Sequence, residues 1–170
     1  IYEPFKIYKE DKYYKPLKID ELIIIDGYLN ERSWKLCESI NDFKQVYPVF
    51  YSTPSELTSV KILYDQRNIY LSAILYQNKD NIAKKVGEYD DFYGAFENNS
   101  DYFIVEFDTQ HNHNSSYGFA INVSGVMADY MVYADGLENV DDYWNANWDG
   151  ISNIDSNKWV IECKIPLNNL

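Results

Sequence analysis

The sequence predicts an all-β protein, a two-sheet antiparallel β-sandwich of jelly-roll type with one short helix near residues 30–40. In residues 102–108, Phe103, Val105 and Phe107 occupy alternate positions, the period of two that is typical of a strand with one buried face. Aromatic residues make up 17% of the chain and include 17 tyrosines, which favours strands. With 170 residues, 46% of them hydrophobic, the chain has the length and the core of a single domain, residues 1–170.

The N-terminal third is predicted to be largely extended. Residues 1–18 indicate a lead-in with one edge strand, and residues 22–25 indicate a short buried strand. That strand ends at Asp26-Gly27, a turn dipeptide in which glycine can adopt a positive φ. A proline-flanked aromatic segment at residues 43–54 predicts extended chain with another edge strand.

A short helix follows the turn. Asn30 is the predicted N-cap, and Glu31 favours the first helical turn. Trp34, Cys37 and Ile40 share one helical face. This spacing predicts that Trp34 is a core anchor rather than a platform for a ligand.

The middle of the chain predicts a hairpin and then a long connection. Residues 58–64 and 69–77 form the two strands, and the turn-forming residues 65–68 join them. Residues 78–100 show no stable period. Their aromatic side chains either line a site or pin the connection to the core.

The stretch from Asp101 to Tyr133 predicts three successive strands. In residues 117–124, Phe119, Ile121 and Val123 alternate with small or polar residues. One face is therefore expected to pack into the core and the other to stay open to a ligand. The open face would carry Gly118, Ala120, Asn122 and Ser124.

Tryptophans mark the last two predicted strands. In residues 143–149, Trp144, Ala146 and Trp148 would share one face of a strand. The two rings either stack on a flat ligand or pack between the sheets. Residues 159–165 alternate in the same way and predict the final strand.

The acidic charge limits the possible partners. Lys and Arg total 15 against 27 Asp and Glu, a net charge of −12 that repels nucleic acids and anionic lipid surfaces. No apolar run approaches the ~20 residues of a membrane span. The acidic residues either form a solvated surface or bind calcium. The candidate metal ligands are Asp90, Asp91 and Asp108.

The start of the chain and its cysteines suggest the context. Because the sequence begins at Ile1 with neither an initiator methionine nor a signal peptide, we expect it to be a fragment of a longer protein. Cys37 and Cys163 are predicted to be small core residues. A single disulfide between them in an oxidising compartment is the alternative.

Common catalytic signatures are absent from the sequence. It has no glycine-rich phosphate loop, nucleophile elbow, HExxH motif or CxxC pair. His111 and His113 lack a third nearby ligand for zinc. Four acidic residues fall on predicted strands: Glu106, Asp108, Asp129 and Glu162. They are either solvated side chains or include a carboxylate pair of the kind that glycosidases use.

Six stretches together resemble the family 9 carbohydrate-binding modules: IDGYLNERSW at 25–34, VKILYDQRNIYLSA at 60–73, DYFIVEFDT at 101–109, YGFAINVSGVMADYMVY at 117–133, WNANWD at 144–149 and WVIECKIPLNNL at 159–170. Within this family, the sequence most resembles a subgroup that forms the N-terminal domain of envelope proteins. The remainder of those proteins resembles an outer-membrane β-barrel. The resemblance implies a β-sandwich, a noncatalytic sugar-binding role outside the cytoplasm and, in some members, calcium. The family continues beyond the position of Leu170 with at least one more strand.

The resemblance also implies a site. Asn122 matches an asparagine that binds sugar in the family, whereas Ala120 stands where the family has arginine. The first of the family's two clamping tryptophans would fall near Asn98, where Phe96 is the substitute, and Trp144 and Trp148 match the subgroup's W-x-x-x-W pattern. The predicted ligand contacts are Tyr102, Asn122, Asp129, Trp144, Trp148 and Phe96.

A structural or protein-interaction domain that has lost sugar binding is the alternative function. Ala120 and the missing tryptophan favour it. It predicts that the open face is closed by side chains or by the connection at residues 78–100.

Overall fold

The computed structural model describes residues 12–96, 100–133 and 139–170. Within these ranges the chain forms one α-helix and nine strands. The helix is α1 (Arg32–Leu36), and the strands are β1 (Leu17–Lys18), β2 (Thr58–Tyr64), β3 (Asn68–Tyr76), β4 (Tyr102–Phe107), β5 (Ser116–Asn122), β6 (Met127–Val132), β7 (Val140–Asp141), β8 (Asp149–Ile154) and β9 (Lys158–Pro166).

The strands form two sheets. The first sheet has the order β1-β2-β3-β9-β8, and the second has the order β4-β5-β6-β7. All neighbouring strands are antiparallel except the two-residue pair of β1 with β2, which is parallel. The predicted β-sandwich is confirmed.

The main core lies between the two sheets. Alternate residues of β5, Phe119 and Ile121, pack with Leu71 of β3 and with Trp159 and Ile161 of β9. All five side chains are at most 2% exposed. The alternation in the sequence therefore identified the inner faces of β5 and β9 correctly, because successive side chains of a strand point to opposite faces.

The outer face of the first sheet is partly covered by residues 14–37, which we call the N-terminal segment. Ile23, Trp34 and Cys37 of that segment pack on Leu63 and Tyr70. Trp34 is 1% exposed, which confirms it as a core anchor. Residues 22–25 of the segment pair with no strand among the described residues, so the predicted strand there is wrong.

The helix is shorter than predicted. It begins after Glu31 rather than Asn30, because the carboxylate of Glu21 accepts hydrogen bonds from the backbone N–H groups of Arg32 and Ser33 (3.4 and 2.9 Å). A side chain distant in the sequence thus replaces the predicted cap. The helix ends at Leu36, and Ile40 instead forms a β-bridge with Val60.

The remaining N-terminal predictions are partly correct. β1 is the expected edge strand of the lead-in, of which residues 1–11 lie outside the described residues. Residues 43–54 contain a single bridge, Gln45 to Ser52, in place of a strand. Cys37 and Cys163 are both buried and free, as expected for core residues, and they belong to separate hydrophobic clusters. No helix in the described ranges has the length and apolar character needed to span a membrane.

Candidate functional site

The outer face of the second sheet, predicted to be open, is largely covered. Ala95 and Phe96 pack on Ala120 of β5 and Ala128 of β6. Both covering residues belong to a π-helical turn, Phe92–Phe96, in the long connection. Ala120 and Asn122 are 0% exposed, so the expectation of an open face at β5 is wrong. We call residues 89–96 the cover segment.

Asn122 holds the cover segment and a neighbouring turn in place. Its side-chain nitrogen donates hydrogen bonds to the carbonyls of Lys85 (2.9 Å) and Ala95 (2.8 Å). Its Oδ1 accepts hydrogen bonds from the backbone N–H groups of Ser124 and Val126, both at 2.9 Å. The amide is thus fully engaged inside the protein, with two donated and two accepted bonds.

Asp129 is a second buried polar centre. Its carboxylate accepts hydrogen bonds from the Tyr89 hydroxyl, from Trp148 Nε1 (3.0 Å) and from the backbone N–H of Ala146 (3.0 Å). Burial raises the pKa of the Tyr89 hydroxyl, and the hydrogen bond to Asp129 raises it further. The hydroxyl therefore stays protonated and acts as the hydrogen-bond donor. Asp129 therefore joins β6 to the cover segment and to residues 144–148, which we call the tryptophan segment.

The two predicted site tryptophans lie next to the core. Residues 144–148 form no strand, which corrects the prediction, and β8 begins only at Asp149. Trp148 is 7% exposed and meets Phe119 edge to face, with ring centroids 5.3 Å apart. Trp144 is half-buried against Tyr117 (5.1 Å) and Phe119 (6.0 Å). Hydrogen bonds from Trp148 and Ala146 to Asp129 hold this segment across the sheet instead of strand pairing.

Tyr102 is the most exposed of the predicted contacts. It lies on the outer face of β4 and is 43% exposed, whereas Phe96 is 2% exposed and touches it edge to face at 5.7 Å. Ile104, two residues further along the same face, is 39% exposed, and Glu106 is also exposed. These three side chains form a strip beside the cover segment, which we call the β4 strip.

A tyrosine and a glycine fit together at the end of this face. The Tyr130 hydroxyl donates a hydrogen bond to Glu106 (2.6 Å), and burial raises the pKa of Tyr130. The Tyr130 ring lies against Gly118, where an added Cβ would be 2.2 Å from Cζ of the ring. Glycine at this position makes room for the ring.

Replacing Gly118 with alanine is therefore expected to lower the free energy of unfolding by about 2 kcal/mol, because Tyr130 must leave its packed position. Denaturant unfolding measures the change. Ser116→Ala, on the same face of β5, is the control and should change stability by less than about 0.5 kcal/mol. A similarly small effect of Gly118→Ala would show that the ring can move without cost.

The candidate metal ligands accept hydrogen bonds from separate parts of the backbone. Asp90 accepts a hydrogen bond from the backbone N–H of Asp129 (3.1 Å), and Asp91 accepts one from Gly94 (2.9 Å). Asp108 accepts bonds from the backbone of Asn112 and His113, which lower its pKa. Among the described residues, no three His, Cys, Asp or Glu side chains are placed to hold one metal ion. The three carboxylates do not fit a shared calcium site, and calcium binding stays a prediction.

A buried carboxylate lies on the other sheet, at one of the four acidic residues that the sequence placed on strands. Glu162 of β9 is 0% exposed on the outer face of the first sheet. Its Oε2 accepts hydrogen bonds from the backbone N–H groups of Asp26 (3.1 Å) and Gly27 (3.0 Å), and its Oε1 accepts one from Trp34 Nε1 (3.0 Å). The one signal was its place on a strand directly between apolar neighbours.

No family model and no curated protein matches the sequence at a significant level. Among solved structures, the chain is similar to a family 9 carbohydrate-binding module from Caldicellulosiruptor kristjanssonii in complex with cellotriose. The TM-score is 0.59 at 13% identity, covering 90% of this chain and 68% of that one. A structure of such a module from the same organism, in complex with glucose, gives a TM-score of 0.59 at 12% identity over 90% and 69% of the two chains.

The fold is that of the family 9 carbohydrate-binding modules. This likeness confirms the fold that the sequence resemblance implied. At 12–13% identity, the similarity supports the fold and carries no information on the position of a sugar-binding site. The envelope-protein subgroup and the six predicted ligand contacts stay predictions.

Proposed function

We propose that this chain is a noncatalytic carbohydrate-binding module of a larger protein that acts outside the cytoplasm. The observation that carries the proposal is the family 9 fold, shared over 90% of the chain with a module solved with cellotriose. The acidic net charge of −12 favours a neutral ligand over an anionic polymer. The envelope-protein context follows from the sequence resemblance.

In this proposal the β4 strip is the ligand platform of the second sheet. Tyr102 offers ring surface for stacking on a sugar, and Phe96 supports that ring from the side. Asn122 and Asp129 contribute indirectly, because their hydrogen bonds fix the cover segment next to the strip. Trp144 and Trp148 stabilise the edge of the same sheet.

Tyr102→Ala is expected to weaken sugar binding at the β4 strip about tenfold, since loss of a stacking ring removes roughly 1 kcal/mol or more. A glycan array identifies the ligand, and calorimetric titration with and without calcium measures the affinity. Tyr143→Ala removes an equally large ring that is 89% exposed elsewhere and serves as the control. Equal affinities for the two variants would exclude Tyr102 as a contact.

A structural or protein-interaction domain is the second candidate, and the covered β5 face favours it. Phe96 fills the space above Ala120, where the sequence resemblance placed an arginine that binds sugar. This candidate expects no saturable binding of any glycan by the wild-type domain. Saturable binding of one glycan, abolished by an excess of the same free sugar, would exclude it.

A further inference from the structure

We infer that a groove on the outer face of the first sheet binds a neutral oligosaccharide, at a site separate from the β4 strip. The inference rests on the proposed sugar-binding function and adds a second site to it. The groove has a volume of about 630 Å³. Small-ligand sites typically occupy about 300–1,000 Å³. It lies where the N-terminal segment leaves part of the sheet uncovered.

The floor of the groove is apolar and its rim is polar. Ile74 of β3 and Val160 of β9 form the floor. One wall is the turn at residues 27–30, and the other is the end of β8 with the turn that follows it. An apolar surface bordered by a few polar groups is the usual composition of a ligand site.

The first wall is held rigidly. Glu162 accepts hydrogen bonds from the backbone N–H groups of Asp26 and Gly27. Asp26 Oδ1 accepts a hydrogen bond from the backbone N–H of Tyr28 (2.9 Å). Gly27 has φ +79°, and an added Cβ there would be 3.1 Å from Cβ of Asn153 on the opposite wall. Glycine at this position lets the two walls approach each other closely, and the buried carboxylate holds the first wall through hydrogen bonds within the chain. Such preorganisation lowers the entropy cost of binding.

The second wall is equally well fixed. The backbone N–H of Asp155 donates to the carbonyl of Lys158 (2.8 Å), and the backbone N–H of Gln77 donates to the carbonyl of Asn157 (3.0 Å). The first bond closes the turn between β8 and β9, and the second ties that turn to the end of β3. The groove therefore has two ordered walls formed by distant parts of the chain.

The groove presents unused hydrogen-bonding groups. Across residues 12–96, 100–133 and 139–170, the side chains of Asn30, Asn153 and Lys158 make no hydrogen bond or ion pair within the chain. Tyr28 is 62% exposed at the same rim. Amide groups orient sugar hydroxyls, and an aromatic ring offers a stacking face.

The charges of the groove select a neutral ligand. Lys158 and Asp155 both line the groove, so its lining carries one positive and one negative side chain. The whole chain carries a net charge of −12, which repels polyanions such as acidic polysaccharides or nucleic acids. A neutral oligosaccharide satisfies the amides, the ring and the apolar floor together.

The test begins with an array of neutral and acidic oligosaccharides that includes cellotriose, and continues with calorimetric titration of the neutral glycan bound most tightly. Tyr28→Ala is expected to weaken groove binding at least about tenfold. Tyr13→Ala, at a ring that is 92% exposed, is the control and should bind as the wild type does. In NMR spectra, the sugar should shift the side-chain amide signals of Asn30 and Asn153.

The stoichiometry separates this inference from the proposed function. Two sites in the wild type, with one lost in Tyr28→Ala and the other in Tyr102→Ala, support both. A single site lost only in Tyr28→Ala also supports the groove. A single site lost only in Tyr102→Ala, with unshifted Asn30 and Asn153 signals, overturns the groove and leaves the proposed function intact. Binding of acidic glycans alone overturns the groove as proposed, and no glycan binding at all overturns both.

Discussion

Asn122→Ala is expected to lower the free energy of unfolding by about 4 kcal/mol, instead of removing a sugar contact selectively. The substitution leaves four backbone groups without their partner: the carbonyls of Lys85 and Ala95 and the N–H groups of Ser124 and Val126. The bonds to Ala95 and Val126 are buried, and the other two are part-buried. Each unsatisfied buried group costs about 1–3 kcal/mol, reduced where water can enter. Urea unfolding followed by tryptophan fluorescence measures the loss.

The matched control for this prediction is Asn41→Ala. Asn41 is exposed, and its replacement should change stability by less than about 0.5 kcal/mol. If Asn122→Ala instead kept wild-type stability and lost its affinity for sugar, the structural role would be contradicted. Asn122 would then be the direct contact that the sequence resemblance implies.

Glu162→Ala is expected to cost about 3 kcal/mol of stability. The carboxylate accepts buried hydrogen bonds from the N–H of Gly27 and the indole of Trp34, and a part-buried one from the N–H of Asp26. Their loss is partly offset, because an alanine no longer buries a charge. Lys164→Ala, two residues along the same strand at a solvent-accessible salt bridge with Asp149, is the control and should cost less than about 1 kcal/mol.

The pH dependence provides a second measurement on Glu162. Burial raises the pKa of Glu162 above its ordinary value of 4.5, and the nearby charge of Glu31 acts in the same direction. The folded state therefore binds a proton that the unfolded state has released between pH 4.5 and the raised pKa. The contribution of this group to stability is full below pH 4.5 and is lost as the pH rises through the folded-state pKa.

Glu162→Gln removes this titration while nearly keeping the volume of the side chain. The free energy of unfolding of the wild type, relative to that of the variant, is accordingly expected to increase as the pH falls toward 4.5. Denaturant unfolding at a series of pH values measures the difference. A constant difference would mean that the pKa of Glu162 is the same in the folded and unfolded states.

Much of the sandwich was predictable because strand signals are local. The alternation of Phe119, Ile121 and Val123 identified an inner face, and the structure buries all three between the sheets. Turn-forming residues 65–68 likewise predicted the hairpin of β2 and β3. The strand predicted at the tryptophan segment was wrong for a related reason. Its alternation of large and small residues matches a strand, but its backbone pairs with no strand among the described residues.

The candidate sites depended on contacts between residues far apart in the sequence. Asn122 looks like a free polar group on an open face until the cover segment supplies the carbonyl of Ala95, 27 positions away. In the sequence, Glu162 resembles a solvated strand residue. In the structure, the backbone N–H of Asp26, 136 positions away, donates a hydrogen bond to it on the outer face of the first sheet. Hydrogen-bond partners at such separations leave no periodic trace in the sequence.

The sequence by itself determined the strands β2 to β6 and β9 of this protein and the inner faces of β4 and β5, because both follow from the alternation of neighbouring side chains. The tertiary structure alone decided what lies on the two outer faces. The cover segment occupies one of them, and the N-terminal segment covers the other except at the groove. An exposed face and a covered one share the same strand pattern, so only the placement of distant segments distinguishes a binding surface from a second core.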